Sequence, residues 1–221
     1  MSLNVVVTGA NRGIGLSFCK YFSGLGHNVY GICRKSSPDL EKVATTIIED
    51  IDIGNPDSCS SLFKKLSEVK IDLLINNAGI LLNETLGQID YNSIAKQLQI
   101  NALGALRITE GLISNLHQTS KVAIITSRMG SIADNGSGGR YGYRMSKAAL
   151  NAAGKSLAVD LEPKGVAVGI FHPGLVSTDM IGGNGDILPD VAATRIAGLI
   201  DKLTISNSGT FWHSNGEILP W

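Results

Sequence analysis

The chain has 221 residues, and 43% of them are hydrophobic, so one domain can bury a substantial core without disulfides or metal ions. Its 19 Lys plus Arg balance its 19 Asp plus Glu. This zero net charge disfavours nucleic acid or an anionic membrane surface as a partner, because both usually need a basic face. Glycine is abundant, with 26 residues, which indicates tight turns and close backbone approaches.

Cysteine spacing and hydropathy indicate the compartment. Cys19, Cys33 and Cys59 show no paired spacing, which predicts reduced thiols without a disulfide framework or a zinc knuckle. The four histidines also lack the spacing of metal ligands. The apolar run at residues 3–7 is too short for a signal sequence, and no run reaches the ~18 apolar residues of a membrane helix. We therefore expect a cytoplasmic protein that binds neither a membrane nor a metal ion.

Short apolar segments of strand length recur along the chain, at residues 4–8, 28–33, 46–50, 72–76, 121–126, 166–171 and 209–213. Helical spacing of apolar residues lies between them, at 14–22, 62–69, 94–106 and 148–161, with a further helix from about Asp190. Strands that alternate with helices predict crossover connections and a parallel sheet. The chain is predicted to form one Rossmann-like, doubly wound α/β domain over residues 1–221, with a mostly parallel seven-stranded sheet and helices on both faces.

The first strand runs directly into a glycine-rich segment that opens the first helix. Gly9 would allow a tight turn, Gly13 a close approach of a pyrophosphate to the backbone, and Gly15 the packing of helix on strand. A helix N-terminus there offers unpaired N–H groups to phosphates. A plain strand-to-helix turn would produce a similar pattern, but the position between strand and helix favours a dinucleotide site.

The spacing Gly-x-x-x-Gly-x-Gly, together with five later motifs, resembles the short-chain dehydrogenase/reductase family. These motifs are the Asn-Asn-Ala-Gly turn at 76–79, the Asn-Ala-Leu-Gly segment at 101–104, Ser127 after the fifth strand, the Tyr-x-x-x-Lys segment at 143–147 and the Pro-Gly segment that starts at Pro173. They occur in the family's order and span essentially the whole chain. The resemblance implies an oxidoreductase that uses a nicotinamide cofactor.

The end of the second strand indicates which cofactor the chain prefers. Family members that use NAD carry an acidic residue where this chain has Cys33, followed by Arg34. With no carboxylate at that position, the guanidinium groups of Arg34 and Arg12 could hold a 2′-phosphate. Two solvated surface arginines are the alternative. We therefore predict NADP(H) as the preferred cofactor, with NAD(H) possible, and the resemblance implies these cofactor-binding residues: Gly9, Asn11, Arg12, Gly13, Ile14, Gly15, Arg34, Asp52, Ile53, Asn77, Ala78, Gly79, Tyr143, Lys147, Pro173, Gly174, Val176 and Thr178.

A helical spacing of four places Tyr143 and Lys147 on one face of a helix. A free phenol titrates near ~10, and a nearby ammonium group lowers that value toward neutral pH. The family resemblance implies that Tyr143 is the general acid that protonates a carbonyl oxygen as hydride arrives. It further implies that Lys147 holds the nicotinamide ribose, that Ser127 polarises the substrate oxygen, and that Asn101 perturbs its helix and holds a water of a proton relay.

Three neighbouring residues are alternatives for these roles. Ser131 could replace Ser127, but Ser127 follows the strand directly and has a glycine three residues later, as in the family pattern. A glycine-rich insertion at 135–139 makes the interval from Ser127 to Tyr143 longer than is usual in the family. Tyr141 lacks a lysine four residues later and is expected to line or border the site. His172 could act as a base, although a packed histidine is the favoured interpretation.

Residues 181–189 form a short, glycine-rich segment where family members with bulky substrates carry a longer lid. This predicts an open pocket for small aldehydes or ketones. The residues expected to line it are Ile80, Leu81, Met129, Tyr141, Leu175 and Met180. The family resemblance also implies a homodimer or homotetramer.

Within the family, the short length, the segment at 141–147 and the ending at 216–221 are most similar to the sniffer-type carbonyl reductases and the bacterial C-factor proteins. The resemblance predicts an NADPH-dependent carbonyl reductase. The second resemblance supplies an alternative, a cell-cell signalling or interaction protein that binds nucleotide with little turnover. The complete set of four catalytic residues favours the enzyme. A nucleotide-sensing transcriptional regulator ranks last because no basic face is present.

Overall fold

The computed structural model describes residues 2–221, and its strands and helices alternate as predicted. They are β1 (Asn4–Thr8), α1 (Gly13–Gly24), β2 (Asn28–Ile32), α2 (Pro38–Glu41), β3 (Thr46–Ile48), α3 (Pro56–Lys65), β4 (Ile71–Asn76), α4 (Tyr91–Leu98), α5 (Ala105–Gly111), β5 (Leu116–Ile125), α6 (Tyr141–Leu161), β6 (Ala167–His172), α7 (Pro189–Asp201) and β7 (Phe211–His213). A π-helical turn, Gln99–Gly104, joins α4 to α5.

The seven strands form one sheet in the order β3-β2-β1-β4-β5-β6-β7, and every neighbouring pair runs parallel. The predicted Rossmann-like fold is therefore confirmed. The order reverses between β1 and β4, which are adjacent in the sheet although β2 and β3 lie between them in the chain. Sheets of this kind bind ligands beyond the carboxyl ends of the strands at this reversal.

Helices cover both faces of the sheet, and β1 shows how one strand supplies two cores. Val6 belongs to a core formed with α3, α5 and α6, whereas Val5 and Val7 belong to a core formed with α1 and α7. All three valines are fully buried. Because alternate residues of a strand point to opposite faces, a strand covered on both sides needs an unbroken apolar run.

Several boundaries differ from the predictions, and at two of them polar residues explain the difference. β5 begins at Leu116, five residues before the predicted start, although His117 and Gln118 interrupt its apolar pattern. α3 begins at Pro56, because the Asn55 side chain accepts hydrogen bonds from the first turn of that helix. These polar and capping residues escape a search for apolar periodicity.

The three cysteines are free, buried thiols. Burial raises the pKa of Cys19 to about 12 and the pKa of Cys33 to about 11, so neither forms a thiolate readily. Among residues 2–221, no helix combines the length and apolarity that crossing a membrane requires.

Candidate active site

The glycine-rich segment forms a tight turn between β1 and α1. Gly9 and Gly13 have φ values of 66° and 54°, in the left-handed region that favours glycine. A Cβ at Gly15 would overlap the carbonyl oxygen of Gly9, so α1 can start close to the strand only with glycine there. The Asn77 amide donates to the Thr8 carbonyl at 3.0 Å and fastens this turn to the end of β4.

The replacement Gly15→Ala is expected to destabilise the fold by about 1–3 kcal/mol, because the added methyl group forces the helix away from the Gly9 carbonyl. Gly24→Ala is the matched control in the same helix, since a Cβ there meets no atom within 4 Å. Chemical unfolding of both variants measures the difference. Equal stability of Gly15→Ala and the wild type would contradict the close packing of α1 on β1.

A cavity of about 750 Å³ opens beyond the carboxyl ends of the strands, where the order of the sheet reverses. It is lined by every residue predicted to bind cofactor, to contact substrate or to act in catalysis, except three. Gly15 packs behind the turn, and Asn101 lies behind Gly79, at 3.1 Å from where a Cβ of that glycine would stand. Tyr141 lines no part of the cavity, which corrects its assignment as a substrate-lining residue. It precedes Tyr143 by two positions, and residues so spaced project to different sides of a helix.

One end of the cavity carries basic side chains. Arg34 and Lys35 line it beside Cys33, and motif analysis missed the lysine. Arg12 lies at the same end and has an acidic neighbour, because its guanidinium is 3.7 Å from the Asp179 carboxylate. Both side chains are largely exposed, so this ion pair is weak. Glu49 also lies near this end, but its carboxylate accepts a hydrogen bond from the Ser36 amide.

Asp52 and Ile53 complete the wall at this end of the cavity. The Asp52 carboxylate accepts a hydrogen bond from the Gly54 amide at 2.9 Å, so it also shapes the turn that leads into α3. Ile53 is buried, and its carbonyl accepts a hydrogen bond from Arg107 at 2.6 Å. These hydrogen bonds hold Asp52 and Ile53 in place, so the cavity wall has one polar and one apolar side chain here.

Lys147 lies at the floor of the cavity, one helical turn beyond Tyr143 on α6. Its Nζ donates to the Ile125 carbonyl at 3.0 Å and lies 5.8 Å from the centre of the Tyr143 ring. Within residues 2–221 no carboxylate forms an ion pair with this ammonium group. Burial therefore lowers the pKa of Lys147 to about 8.

Tyr143 is buried beside Ser127, and both line the cavity. Burial raises the pKa of the Tyr143 phenol by more than the Ser127 hydroxyl and the positive charge of Arg140 lower it. The net pKa is therefore raised, and the predicted lowering by Lys147 toward neutral pH is not found. Arg140 was not identified by the motifs, because its proximity to the phenol depends on how the chain enters α6. A phenol that meets a hydroxyl and a cation can pass a proton to an acceptor in the cavity.

Asn101 lies in the π-helical turn, as the predicted local disturbance of its helix requires. Its Oδ1 accepts from the Ile80 amide at 2.8 Å, and its Nδ2 donates to the Ile80 carbonyl at 2.8 Å and to Ser146 Oγ at 2.9 Å. The side chain thus ties the segment after β4 to α6. π-helical turns often occur at functional sites.

Ser131 and His172, the alternatives for the catalytic roles, lie outside the cavity or are weak bases. Ser131 is buried outside the cavity, and its hydroxyl accepts a hydrogen bond from the Asp134 amide at 3.1 Å. His172 lines the cavity and packs edge-on against His213, with ring centres 5.0 Å apart. Burial, reinforced by His213 and Arg128, lowers the pKa of His172 to about 3, so it is a weak base.

The segment after β6 forms the opposite wall of the cavity. Gly174 has a φ of 94°, and Val176 forms a parallel bridge with Ile187, which folds the short lid back on itself. The Thr178 methyl group lies 3.4 Å from where a Cβ of Gly13 would stand, so this wall closes against the glycine turn. The lid therefore joins both ends of the cavity.

Glu84 is a site-supporting residue that no motif identified. Its buried carboxylate accepts hydrogen bonds from Ser93 at 2.7 Å, Gln97 at 2.6 Å and the Gly142 amide at 3.0 Å. A carboxylate at a helix N-terminus is favourable, and this one fixes the start of α6 one residue before Tyr143. A single buried acid in a predicted loop gives no sequence signal for this role.

Comparison with known proteins places this geometry in a family. The short chain dehydrogenase family model matches residues 3–186. A 1-hydroxy-2-glutathionyl-2-methyl-3-butene dehydrogenase of Rhodococcus sp. (strain AD45) is 39% identical over 98% of this chain and 99% of its own. The C-signal protein of Myxococcus xanthus is 46% identical over 68% of this chain and 93% of its own.

Solved structures show the same fold. The carbonyl reductase Sniffer of D. melanogaster superposes with a TM-score of 0.90 at 28% identity, and each chain is covered completely. An NADPH-bound carbonyl reductase from chicken fatty liver superposes with a TM-score of 0.88 at 25% identity, again over both whole chains. The predicted resemblance to the sniffer and C-factor groups is therefore confirmed.

Proposed function

The chain belongs to the short chain dehydrogenase family of oxidoreductases, and we propose that it reduces the carbonyl group of a small aldehyde or ketone to an alcohol with NADPH. The observation that carries the proposal is the buried cluster of Ser127, Tyr143 and Lys147, which lies in the same cavity as the glycine turn. A protein that only binds nucleotide has no need of this cluster.

The residues of the cavity fit a dinucleotide phosphate. The first turn of α1 lacks any side-chain cap, so its N–H groups remain available to a phosphate, and Gly13 and Ile14 of this turn line the cavity. The absence of a side chain at Gly13 would let a pyrophosphate approach the backbone closely. Arg34 and Lys35 would hold the 2′-phosphate, and Lys147 would hold the nicotinamide ribose. When bound, NADPH supplies the hydride for the reduction.

The residues of this chain would carry the proton. Ser127 donates a hydrogen bond to the carbonyl oxygen of the substrate and stabilises the negative charge that develops on it. Tyr143 gives that oxygen its phenolic proton, so the product is an alcohol. The ammonium group of Lys147 stabilises the resulting phenolate, and Asn101 fixes the position of α6 through Ser146 and supports the return of a proton from solvent.

A kinetic comparison of the two cofactors tests the preference for NADPH. NADPH is expected to show a lower KM than NADH, because two basic side chains, Arg34 and Lys35, line the adenosine end of the cavity. Arg34→Ala should raise the KM for NADPH by about tenfold, the effect of one charge-assisted hydrogen bond, and leave the KM for NADH nearly unchanged. A lower KM for NADH in the wild type would contradict the assignment.

The C-signal relative favours a second candidate function, a signalling or interaction protein that binds the nucleotide with little turnover. An assay that measures the oxidation of NADPH in the presence of each member of a panel of aldehydes and ketones separates the two functions. Turnover of panel members supports the reductase. Tight NADPH binding, measured by calorimetry, without turnover of any of them supports the signalling function.

The predicted pairing into a homodimer or homotetramer is part of the same proposal. Large apolar side chains are exposed on α4, the π-helical turn and α6, namely Tyr91, Leu103, Met145 and Val159. A second copy that packed on this side would cover them, as the family resemblance implies for the long central helix.

A further inference from the structure

A second cavity, of about 540 Å³, lies beside the catalytic one. Its walls come from the segment 83–85 on one side and from residues 137–140 with Arg144 on the other. Met129 and Arg140 line both cavities, so the two spaces meet at these side chains. We call this second space the side cavity. A substrate in the catalytic cavity that extended past Met129 and Arg140 would reach it.

The glycine-rich insertion at 135–139 shapes this side cavity. Gly138, Gly139 and Arg140 have φ values of 61°, 64° and 49°, so three successive residues adopt the left-handed conformation. Two of them are glycines, which adopt it without cost, but arginine does not. Uncommon backbone of this kind at a non-glycine residue is concentrated at functional sites. The turn brings the Arg140 side chain to the junction of the two cavities.

The side cavity carries two guanidinium groups without a carboxylate partner. Arg144 donates to the Gly138 carbonyl at 3.3 Å and to Ser137 Oγ at 2.8 Å, which leaves further N–H donors of its five free. Arg140 has only a long contact of 3.8 Å with the Met129 sulfur. Across residues 2–221, neither arginine forms an ion pair with a carboxylate, whereas Arg12 pairs with Asp179 and Arg128 with Asp134.

The acidic residues on this side of the molecule already have partners, since Asp134 pairs with Arg128. Glu84 lines the side cavity, but its oxygens accept hydrogen bonds from Ser93, Gln97 and the Gly142 amide. Arg140 directly precedes α6 and Arg144 lies in its first turn, and both line the side cavity, where their positive charges repel each other. An anionic group in the side cavity would relieve this repulsion and use the free N–H donors.

We propose that the side cavity binds a carboxylate at the far end of the carbonyl substrate, with Arg144 and Arg140 as the residues that select it. The inference rests on the proposed carbonyl reduction and names the substrate class: an aldehyde or ketone with an anionic tail. Guanidinium groups bind carboxylates through paired hydrogen bonds, which suits this pair of side chains.

The test uses straight-chain aldehydes of increasing length that end in a carboxylate, each beside its methyl ester. For the chain length that spans the two cavities, kcat/KM should favour the acid about fivefold to tenfold at low salt, the range for a partly solvated charged contact. Arg144→Gln should reduce this ratio to about one, and Arg144→Lys should retain part of it. Arg195→Gln, which removes an exposed arginine of α7 outside both cavities, should leave the ratio intact.

Arg140→Gly separates recognition from a structural role. Glycine accepts the left-handed conformation at this position, so thermal stability should be maintained or rise while the acid-to-ester ratio falls. Loss of stability with an unchanged ratio would show that Arg140 only shapes the turn and would overturn its assigned role.

Failure of the side cavity and failure of the proposed function are distinguishable. Equal kcat/KM for acid and ester at every length, or a ratio that Arg144→Gln leaves intact, overturns the carboxylate site while reduction itself stands. If no aldehyde turns over, calorimetric binding of the corresponding hydroxy acids and hydroxy esters in the presence of NADPH decides. Weaker binding of the acids in Arg144→Gln then supports the site, and equal binding of acid and ester overturns it.

Discussion

Replacing Tyr143 with phenylalanine is expected to lower kcat for carbonyl reduction by about two to four orders of magnitude, the usual contribution of a positioned general acid. The variant lacks only the hydroxyl group, which lies at the floor of the cavity beside Ser127. The aromatic ring remains and continues to fill its buried position. Binding of NADPH should therefore stay within about threefold of the wild type, a difference below 1 kcal/mol.

Stopped-flow or steady-state oxidation of NADPH measures the first expectation, and fluorescence titration of NADPH measures the second. Tyr91→Phe is a matched control, because Tyr91 is 75% exposed on α4 and lines neither cavity. Near-native reduction by Tyr143→Phe would refute Tyr143 as the acid. Equal losses of binding and turnover would instead indicate a packing defect.

The fold could be predicted because each strand carries a local signal. Val5, Val6 and Val7 in succession indicate a strand that is buried on both faces, and the structure shows this. The sequence pattern around Asn101 predicts the π-helical turn less clearly than the apolar runs predict the strands. The shape of this turn depends on bonds to Ile80 and Ser146, which lie 21 and 45 residues away, so spacing within the helix cannot reveal it.

The residues of the candidate site also fall into two groups, those that the sequence predicts and those that it does not. Residues within motifs, such as Gly13 and Ser127, lie where their order along the chain predicts. Arg140 and Glu84 belong to no motif, and their roles depend on a left-handed turn and on the packing of α6 against α4. Long-range contacts of single residues carry no periodicity, so a single sequence does not report them.

Replacing Lys147 with methionine is expected to separate activity from stability. Burial without a carboxylate lowers the pKa of Lys147 to about 8, whereas a lysine in the unfolded chain titrates near 10.5. The unfolded chain therefore binds this proton more tightly. The free energy of unfolding should rise with pH between about 8 and 10.5, and below pH 8 the buried ammonium costs the folded state about 3 kcal/mol.

Methionine removes that cost and fills a similar volume. It also leaves the Ile125 carbonyl without its donor, which destabilises the folded state by about 1 kcal/mol. Lys147→Met should therefore be about 2 kcal/mol more stable than the wild type at pH 7. Its stability should lose the rise between pH 8 and 10.5. Urea unfolding across this pH range measures both effects, with Lys155→Met, an exposed lysine two turns along α6, as the control.

The same variant should lose kcat by about two orders of magnitude or more, because the Tyr143 phenolate then lacks the ammonium group one helical turn away and keeps only the charge of Arg140. In the wild type, reduction should decline as the pH rises through about 8, since Lys147 loses its charge there. A stabilised but inactive Lys147→Met would identify a buried charge that folding disfavours and catalysis requires. A destabilised variant would mean that the bond to Ile125 outweighs the burial of the charge, and native turnover would remove Lys147 from the mechanism.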